Sequence, residues 1–138
     1  MDPYNLQRFI DAQADRYAQV EMELRAGRKE SHWMWYIFPQ IKGLGRSATA
    51  QKYAVSSIDE AKAFLSHPVL GARLRECTRL ATAVNSRSIE DIFGYPDHQK
   101  FHSSMTLFAH ATNDNGVFTA ALKKFFRSEY DNQTLERL

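Results

Sequence analysis

The sequence predicts an all-α fold: a single irregular domain of about six to eight helices with short connections. Three observations lead to this prediction. Apolar residues recur three and four positions apart over long stretches, which is typical of helices that bury one face. Residues that favour helix ends flank those stretches. No two alternating β-branched segments are present to pair as a sheet. We place the helical domain at residues 1–127 and a polar C-terminal tail, with room for one helical turn, at 128–138.

The first helix is predicted after Asp2-Pro3, because Asp caps a helix and Pro fits its first turn. A stripe at helical spacing then runs to a stop at Gly27. Its members are Leu6, Ile10, Gln13, Tyr17, Val20 and Leu24. Gln13, the one polar member, is either a buried hydrogen-bonding residue or part of a pocket wall.

An aromatic run follows at residues 33–38, after Ser31-His32 and before Pro39. So short an apolar run does not distinguish a helix from a buried strand. We predict a short helix or an extended core segment, because the chain offers no second strand to pair with it.

Capping residues mark the remaining helices. A glycine turn at 43–46 precedes Ser47, which caps a helix through Val55, and a capping box at 57–60 starts a helix through Leu65. The clearest stripe comprises Leu70, Leu74, Cys77, Ala81 and Val84. Shorter helices are predicted at 88–93, 97–108 (with Asp97 as its cap) and 118–125.

Composition narrows the class of protein. The 138 residues carry a net charge of only +2, so binding of nucleic acid through a basic face is not expected. Cys77 is the one cysteine, which excludes an internal disulfide and fits a reducing compartment. No signal peptide is visible, and the longest apolar run is far shorter than the ~20 residues that cross a bilayer. We therefore expect a cytoplasmic protein that makes no membrane contact.

Several short motifs carry a resemblance to a known family. They are residues 2–6 (DPYNL), 31–35 (SHWMW), 37–40 (IFPQ), 43–45 (GLG), 75–77 (REC) and 103–108 (SSMTLF). With them the chain resembles the bacterial domain-of-unknown-function family eighteen-ten, whose members are sometimes labelled calpastatin. The resemblance covers roughly residues 2–126 and implies a mainly α-helical, irregular fold. It implies no activity, cofactor or catalytic residue, and the calpastatin label does not fit a compact chain.

The aromatic run supplies the first candidate site residues. Trp33 and Trp35 either fill the core or form the walls of a pocket for a flat ligand. His32 lies near a predicted helix N-terminus, where the dipole favours neutral imidazole, so it is our candidate acid or base. The alternative for His32 is a ring satisfied by backbone groups.

The glycine turn supplies a second group of candidates, namely Gln40, Gly43, Gly45, Arg46 and Ser47. Two glycines let the backbone approach a ligand closely, and the N–H groups of the following helix attract anions. Lys42 precedes the glycines, and no predicted strand comes before the turn, so the segment is not a P-loop. The structural alternative is an ordinary turn followed by a capped helix.

The helix at 97–108 supplies the third group, in which Lys100 and Ser103 are the ligand-binding candidates. A lysine beside serines at a cleft binds an anion or activates a hydroxyl. The alternative is a surface lysine and helix-packing serines. His98 and His102 share a helix face, but no third metal ligand is identifiable, so we expect neither a metal nor a cofactor.

These candidates lead to two functional hypotheses. The first is a pocket for a small anionic or nucleotide-like ligand, built on residues 31–40 and 43–47 and reached by Lys100. Whether such a pocket catalyses a reaction stays open. The alternative is a protein–protein interaction or adaptor domain without catalysis, which would show a large exposed apolar patch near the aromatic run. The sequence leaves ligand identity and oligomeric state open.

Overall fold

The chain folds into ten helices and no β-strand, which confirms the all-α prediction. The computed structural model describes all residues from 1 to 138. In chain order the helices are α1 (Gln7–Gln13), α2 (Tyr17–Ala26), α3 (Met34–Ile37), α4 (Ala48–Lys52), α5 (Ile58–Ser66), α6 (Leu70–Ala83), α7 (Ile89–Phe93), α8 (Asp97–Ala111), α9 (Gly116–Phe126) and α10 (Asn132–Leu135). None of these helices is long and apolar enough to cross a membrane.

The helices outnumber the predicted six to eight because the first predicted helix is divided and the tail forms a turn. A break after Gln13 separates α1 from α2, although Leu24 continues the buried stripe. Asp2 acts later than predicted, since its carboxylate accepts hydrogen bonds from the backbone N–H groups of Leu6 and Gln7 at 2.8 and 2.9 Å. Helix α1 therefore begins at Gln7 and not at the proline, and its N-cap residue is Leu6 and not Asp2, which corrects the predicted start.

Serine caps begin three short helices where they were predicted. In α4, α5 and α7 the hydroxyls that accept a backbone hydrogen bond are those of Ser47, Ser57 and Ser88. The largest difference in their boundaries is in α4, which ends at Lys52 and not at Val55. Val55 forms an isolated parallel β-bridge with Ile41, and its N–H donates to the carbonyl of Gln40 at 2.9 Å. This bridge fixes the two ends of the segment that carries the glycine turn.

The central helix is α8, which contacts α3, α5, α7, α9 and α10. Nine of its fifteen residues are buried. Phe101 packs edge-on against Phe38, with 5.0 Å between ring centroids, and stacks on Phe93 at 4.7 Å. Such ring pairs stabilise the fold by more than the burial of their apolar surface alone provides. Most of the aromatic run is therefore core, which is one of the two interpretations that the sequence left open.

Gly71 near the start of α6 lies directly against the backbone at the end of α5. A Cβ atom on Gly71 would lie 2.0 Å from the carbonyl oxygen of Leu65, so a larger residue does not fit without movement of the backbone. The α6 stripe faces the core, and Cys77 on it is fully buried. Burial raises the pKa of the Cys77 thiol to about 12, so the thiol stays protonated and is a poor nucleophile.

Gln13 connects three helices through its side-chain amide. Its Nε2 donates to the carbonyl oxygen of Tyr36 in α3 at 2.8 Å, and its Oε1 accepts from Arg73 in α6 at 3.2 Å. A buried amide needs partners at both ends, and Gln13 has them. The structure therefore shows the hydrogen-bonding role for this residue.

Glu23 fixes the start of the aromatic run against α2. Its buried carboxylate accepts hydrogen bonds from the backbone N–H groups of Glu30 and Ser31 at 2.7 and 3.0 Å. Trp33 Nε1 donates to the same carboxylate at 2.9 Å, and Gln19 donates at 2.8 Å. Burial opposes ionisation, but the hydrogen bonds outweigh it and lower the pKa of Glu23 to about 2.

Candidate ligand-binding cleft

A polar cleft of about 430 Å³ opens where the start of α8, the glycine turn and the C-terminal segment meet. Its lining residues are Gln40, Leu44, Gly45, Pro96, Gln99, Lys100, His102, Ser103, Asp131 and Gln133. The volume falls within the ~300–1,000 Å³ that is common for small-molecule sites. Such sites are usually lined by apolar side chains, whereas this lining is mostly polar. The cleft therefore suits a ligand that makes many hydrogen bonds.

Lys100 is the cation of the cleft, and its environment leaves its charge only partly balanced. Its ammonium lies 3.4 Å from Asp97, but Asp97 also pairs with Lys29 at 2.7 Å. One carboxylate thus serves two ammonium groups, so the trio carries a net charge of +1. Lys29 is buried and Lys100 is partly exposed, so the excess positive charge is reachable from the cleft. Asp97 does not cap α8, which corrects the predicted role of this residue.

Trp35 lies beside the cleft rather than in its lining. The Lys100 ammonium is 5.1 Å from the centroid of the Trp35 ring, a cation–π distance that holds the lysine stem in place. A much smaller hollow contains Trp35 together with Gln40 and Lys100, which also line the main cleft. The Trp35 ring therefore adjoins the polar site through its contact with Lys100.

The C-terminal segment forms one wall of the cleft through Asp131 and Gln133. Asp131 caps α10, and its Oδ2 accepts hydrogen bonds from the N–H and the hydroxyl of Thr134. The same oxygen accepts from the Ser103 hydroxyl at 3.1 Å, which ties this wall to α8. The Asp131 N–H donates to the Thr106 hydroxyl at 2.9 Å. The wall is therefore docked through polar contacts.

His102 holds the same segment from a second point. Its Nε2 lies 2.8 Å from the carbonyl oxygen of Glu129, and because a carbonyl only accepts, we assign the proton to Nε2. The ring stacks on Phe126 with 4.0 Å between centroids. His98 bonds the carbonyl of Gly94 at 3.3 Å. No group of three or more His, Cys, Asp or Glu side chains converges in a way that would hold a metal ion.

Four of the predicted site residues come together in the cleft: Gln40, Gly45, Lys100 and Ser103. Gly43 lies in a neighbouring hollow of about 390 Å³ that shares Gly45 with the cleft. A Cβ atom on Gly43, whose φ is +103°, would meet Arg137 Nε at 2.9 Å, so the glycine lets the C-terminal segment pass closely.

The other predicted residues do not line the cleft. Trp33 is 1% exposed and belongs to the core, with its indole N–H bonded to Glu23. The Ser47 hydroxyl caps α4, and the backbone carbonyl of Arg46 accepts from Gln51. His32 is exposed and lies outside the cleft.

Six lining residues were not predicted from the sequence: Leu44, Pro96, Gln99, His102, Asp131 and Gln133. Asp131 with Thr134 carries a capping pattern that signals a turn. That pattern says nothing about where the turn docks, so the C-terminal wall had no sequence signal.

Comparison with known proteins gives one family and one solved structure. The family model described as "Protein of unknown function (DUF1810)" matches residues 3–138. The chain is also similar to the conserved hypothetical protein Rv1873 from Mycobacterium tuberculosis, known from a crystal structure. The two are 53% identical over 99% of this chain and 98% of that one, with a TM-score of 0.98. No curated protein matches the chain.

Proposed function

We propose that this chain, which belongs to the DUF1810 family of proteins of unknown function, binds a small anionic or nucleotide-like ligand in the polar cleft. The observation that carries the proposal is the excess positive charge at Lys100, which shares the Asp97 carboxylate with Lys29. A partly exposed cation that is not fully neutralised attracts an anion more strongly than a paired one does.

The rest of the lining supports a polar ligand beside that cation. The amides of Gln40, Gln99 and Gln133 each offer a donor and an acceptor. Trp35 borders the site next to Lys100, and its ring holds the lysine stem in place through the cation–π contact. A ligand with an anionic group and a polar remainder therefore fits these residues.

We assign binding to the cleft and no reaction. The Ser103 hydroxyl donates to a carboxylate or to the Gln99 carbonyl, and His102 Nε2 is occupied by the Glu129 carbonyl. A catalytic serine needs a base within hydrogen-bond reach, and His102 does not contact Ser103 in this way. His32, the candidate base from the sequence, lies outside the cleft and takes no part in this proposal.

The adaptor alternative has less support. It called for a large exposed apolar patch near the aromatic run, yet Trp33, Tyr36 and Phe38 are buried. None of the large apolar side chains that are exposed belongs to the aromatic run; they are Met1, Met22, Val69, Tyr95, Tyr130, Leu135 and Leu138.

A thermal-shift screen of nucleotides, sugar phosphates and carboxylate metabolites tests the proposal. A ligand at about one hundred times its Kd stabilises the fold by about 2.7 kcal/mol, which raises Tm by several degrees. We expect such a shift in the wild type and its loss in Lys100→Met, which keeps the stem over Trp35 but removes the charge.

Arg46→Met is the matched control, because it removes a cation near the glycine turn that does not line the cleft. We expect Arg46→Met to respond as the wild type does. The proposal is wrong if no compound shifts Tm, or if Lys100→Met responds as strongly as Arg46→Met.

A further inference from the structure

Only one of the two carboxylate oxygens of Asp131 accepts hydrogen bonds from the protein. All the hydrogen bonds that its side chain accepts reach Oδ2, from the Ser103 hydroxyl and from the N–H and hydroxyl of Thr134. These bonds fix the orientation of the carboxylate, so Oδ1 is a positioned acceptor in a residue that lines the cleft. A positioned acceptor binds a donor without first losing side-chain freedom.

Lys100 and Asp131 line the same cleft but do not neutralise each other. Lys100 pairs with the carboxylate of Asp97. The Asp131 side chain accepts hydrogen bonds from hydroxyl and N–H groups and forms no ion pair. A bare anion would be attracted by Lys100 and repelled by Asp131. The complementary ligand therefore carries an anionic group and, separately, hydrogen-bond donors.

Hydroxyl donors fit the remaining side chains better than an ammonium group does. The three glutamine amides each donate and accept, as a hydroxyl does, whereas an ammonium only donates. The three are Gln40, Gln99 and Gln133. The Trp35 face next to the cleft already carries the Lys100 ammonium at 5.1 Å, which would repel a second cation there.

We propose that the ligand class of the cleft is a sugar phosphate, either free or as the sugar-phosphate part of a nucleotide. The phosphate pairs with Lys100, a sugar hydroxyl donates to Asp131 Oδ1, and the glutamine amides bind the remaining hydroxyls. This inference rests on the proposed function, which supplies the anion site at Lys100. What it adds is that Asp131 selects ligands with hydroxyl groups.

Isothermal titration with three kinds of phosphate ester tests this selection. Ribose 5-phosphate and glucose 6-phosphate carry hydroxyls, butyl phosphate carries none, and phosphoethanolamine carries an ammonium instead. We expect at least one of the sugar phosphates to bind about tenfold or more tightly than butyl phosphate, as a hydrogen bond to a charged acceptor provides.

Asp131→Asn isolates the carboxylate, because Asn also caps helices and its amide oxygen still accepts from Ser103. We expect this variant to stay folded, with a Tm at most a few degrees below that of the wild type, and to bind butyl phosphate at least as well as the wild type. Its preference for the sugar phosphate should fall to about threefold or less.

The outcomes separate the two proposals. If butyl phosphate binds as tightly as both sugar phosphates and Lys100→Met abolishes both, the hydroxyl selection is wrong and the anion site stands. Tighter binding of phosphoethanolamine, or an unchanged sugar preference in Asp131→Asn, also overturns the selection by Asp131. If none of the phosphate esters binds, the sugar-phosphate class is wrong and the anion site loses its support as well.

Discussion

At the scale of single residues, the Glu23 carboxylate holds the loop between α2 and α3 in place by accepting several hydrogen bonds from it. It binds the backbone N–H groups of Glu30 and Ser31, the Ser31 hydroxyl and the Trp33 indole. These are charge-assisted hydrogen bonds in a buried place, where each counts for more than it would in water. One carboxylate therefore joins α2 to the loop that leads into the aromatic run.

We expect Glu23→Gln to lower the free energy of unfolding at pH 7 by about 3 kcal/mol. The pKa of Glu23 is about 2 in the folded chain and near its ordinary value when unfolded. Its stabilising contribution is therefore full above about pH 5 and is lost as the pH falls towards 2. Urea unfolding of wild type and variant at several pH values would show the difference shrinking between about pH 5 and pH 2.

Glu21→Gln is the control on the same helix. Glu21 forms a partly exposed ion pair with Arg25 at 3.3 Å, and such pairs contribute about 0–1 kcal/mol. If both variants lose the same small amount of stability, or if the Glu23 difference does not change with pH, the role given to Glu23 is wrong.

Glu23 also shows what the sequence does not reveal about single residues. Its neighbours Met22 and Leu24 do not distinguish it from a surface glutamate of α2. Apart from Gln19, its partners lie beyond Gly27, whose left-handed φ of +74° ends α2 and turns the chain back. The hydrogen bonds depend on that reversal, which a periodic pattern does not describe.

At the scale of the helices, Gly71 and Gly116 differ in the space around them: Gly71 is crowded and Gly116 is open. Gly71 lies where α6 meets α5, and a Cβ there would overlap the Leu65 carbonyl. Gly116 is the first residue of α9, and a Cβ there would meet nothing within 4 Å. The same substitution therefore acts differently at the two positions.

We expect Gly71→Ala to destabilise the chain by about 2 kcal/mol or more, because α5 and α6 must separate to admit the methyl group. Gly116→Ala should be neutral or stabilise by about 0.5 kcal/mol, since alanine restricts the unfolded chain. Thermal or urea unfolding of both variants measures this, and equal effects would contradict the close approach of the two helices.

Helix positions were predictable where capping and periodicity agree, as they do for the serine caps and the α6 stripe. They were less predictable where tertiary contacts decide the boundary. Val55 lies outside the helix predicted for it and forms a β-bridge with Ile41. Asp97 does not cap α8 and instead pairs with two lysines. In each case a partner distant in the chain competes with the local preference.

The cleft belongs to the whole molecule, because three distant segments build it: 40–45, 96–103 and 131–133. The sequence marked Gln40, Gly45, Lys100 and Ser103 by residue type and turn chemistry. It did not mark Asp131, because the C-terminal wall docks through single hydrogen bonds and carries no apolar stripe. The site was therefore predictable on two sides and not on the third.

The two tryptophans are two positions apart in the chain but lie in different environments. Trp33 is 1% exposed, whereas Trp35 is partly exposed beside the cleft. We expect iodide to quench part of the wild-type tryptophan fluorescence and almost none in Trp35→Phe, because only the Trp35 ring is reachable. Equal quenching of the two proteins would contradict this difference in burial.

This separation gives the molecule two built-in optical reporters. Emission from Trp33 follows the integrity of the core, since its indole is bonded to Glu23 and unfolding breaks that bond. Emission from Trp35 would report on occupancy of the proposed site, since a bound molecule would change the surroundings of its ring and of Lys100. Binding and unfolding can thus be followed in one unlabelled sample, and Trp35→Phe assigns each signal to its source.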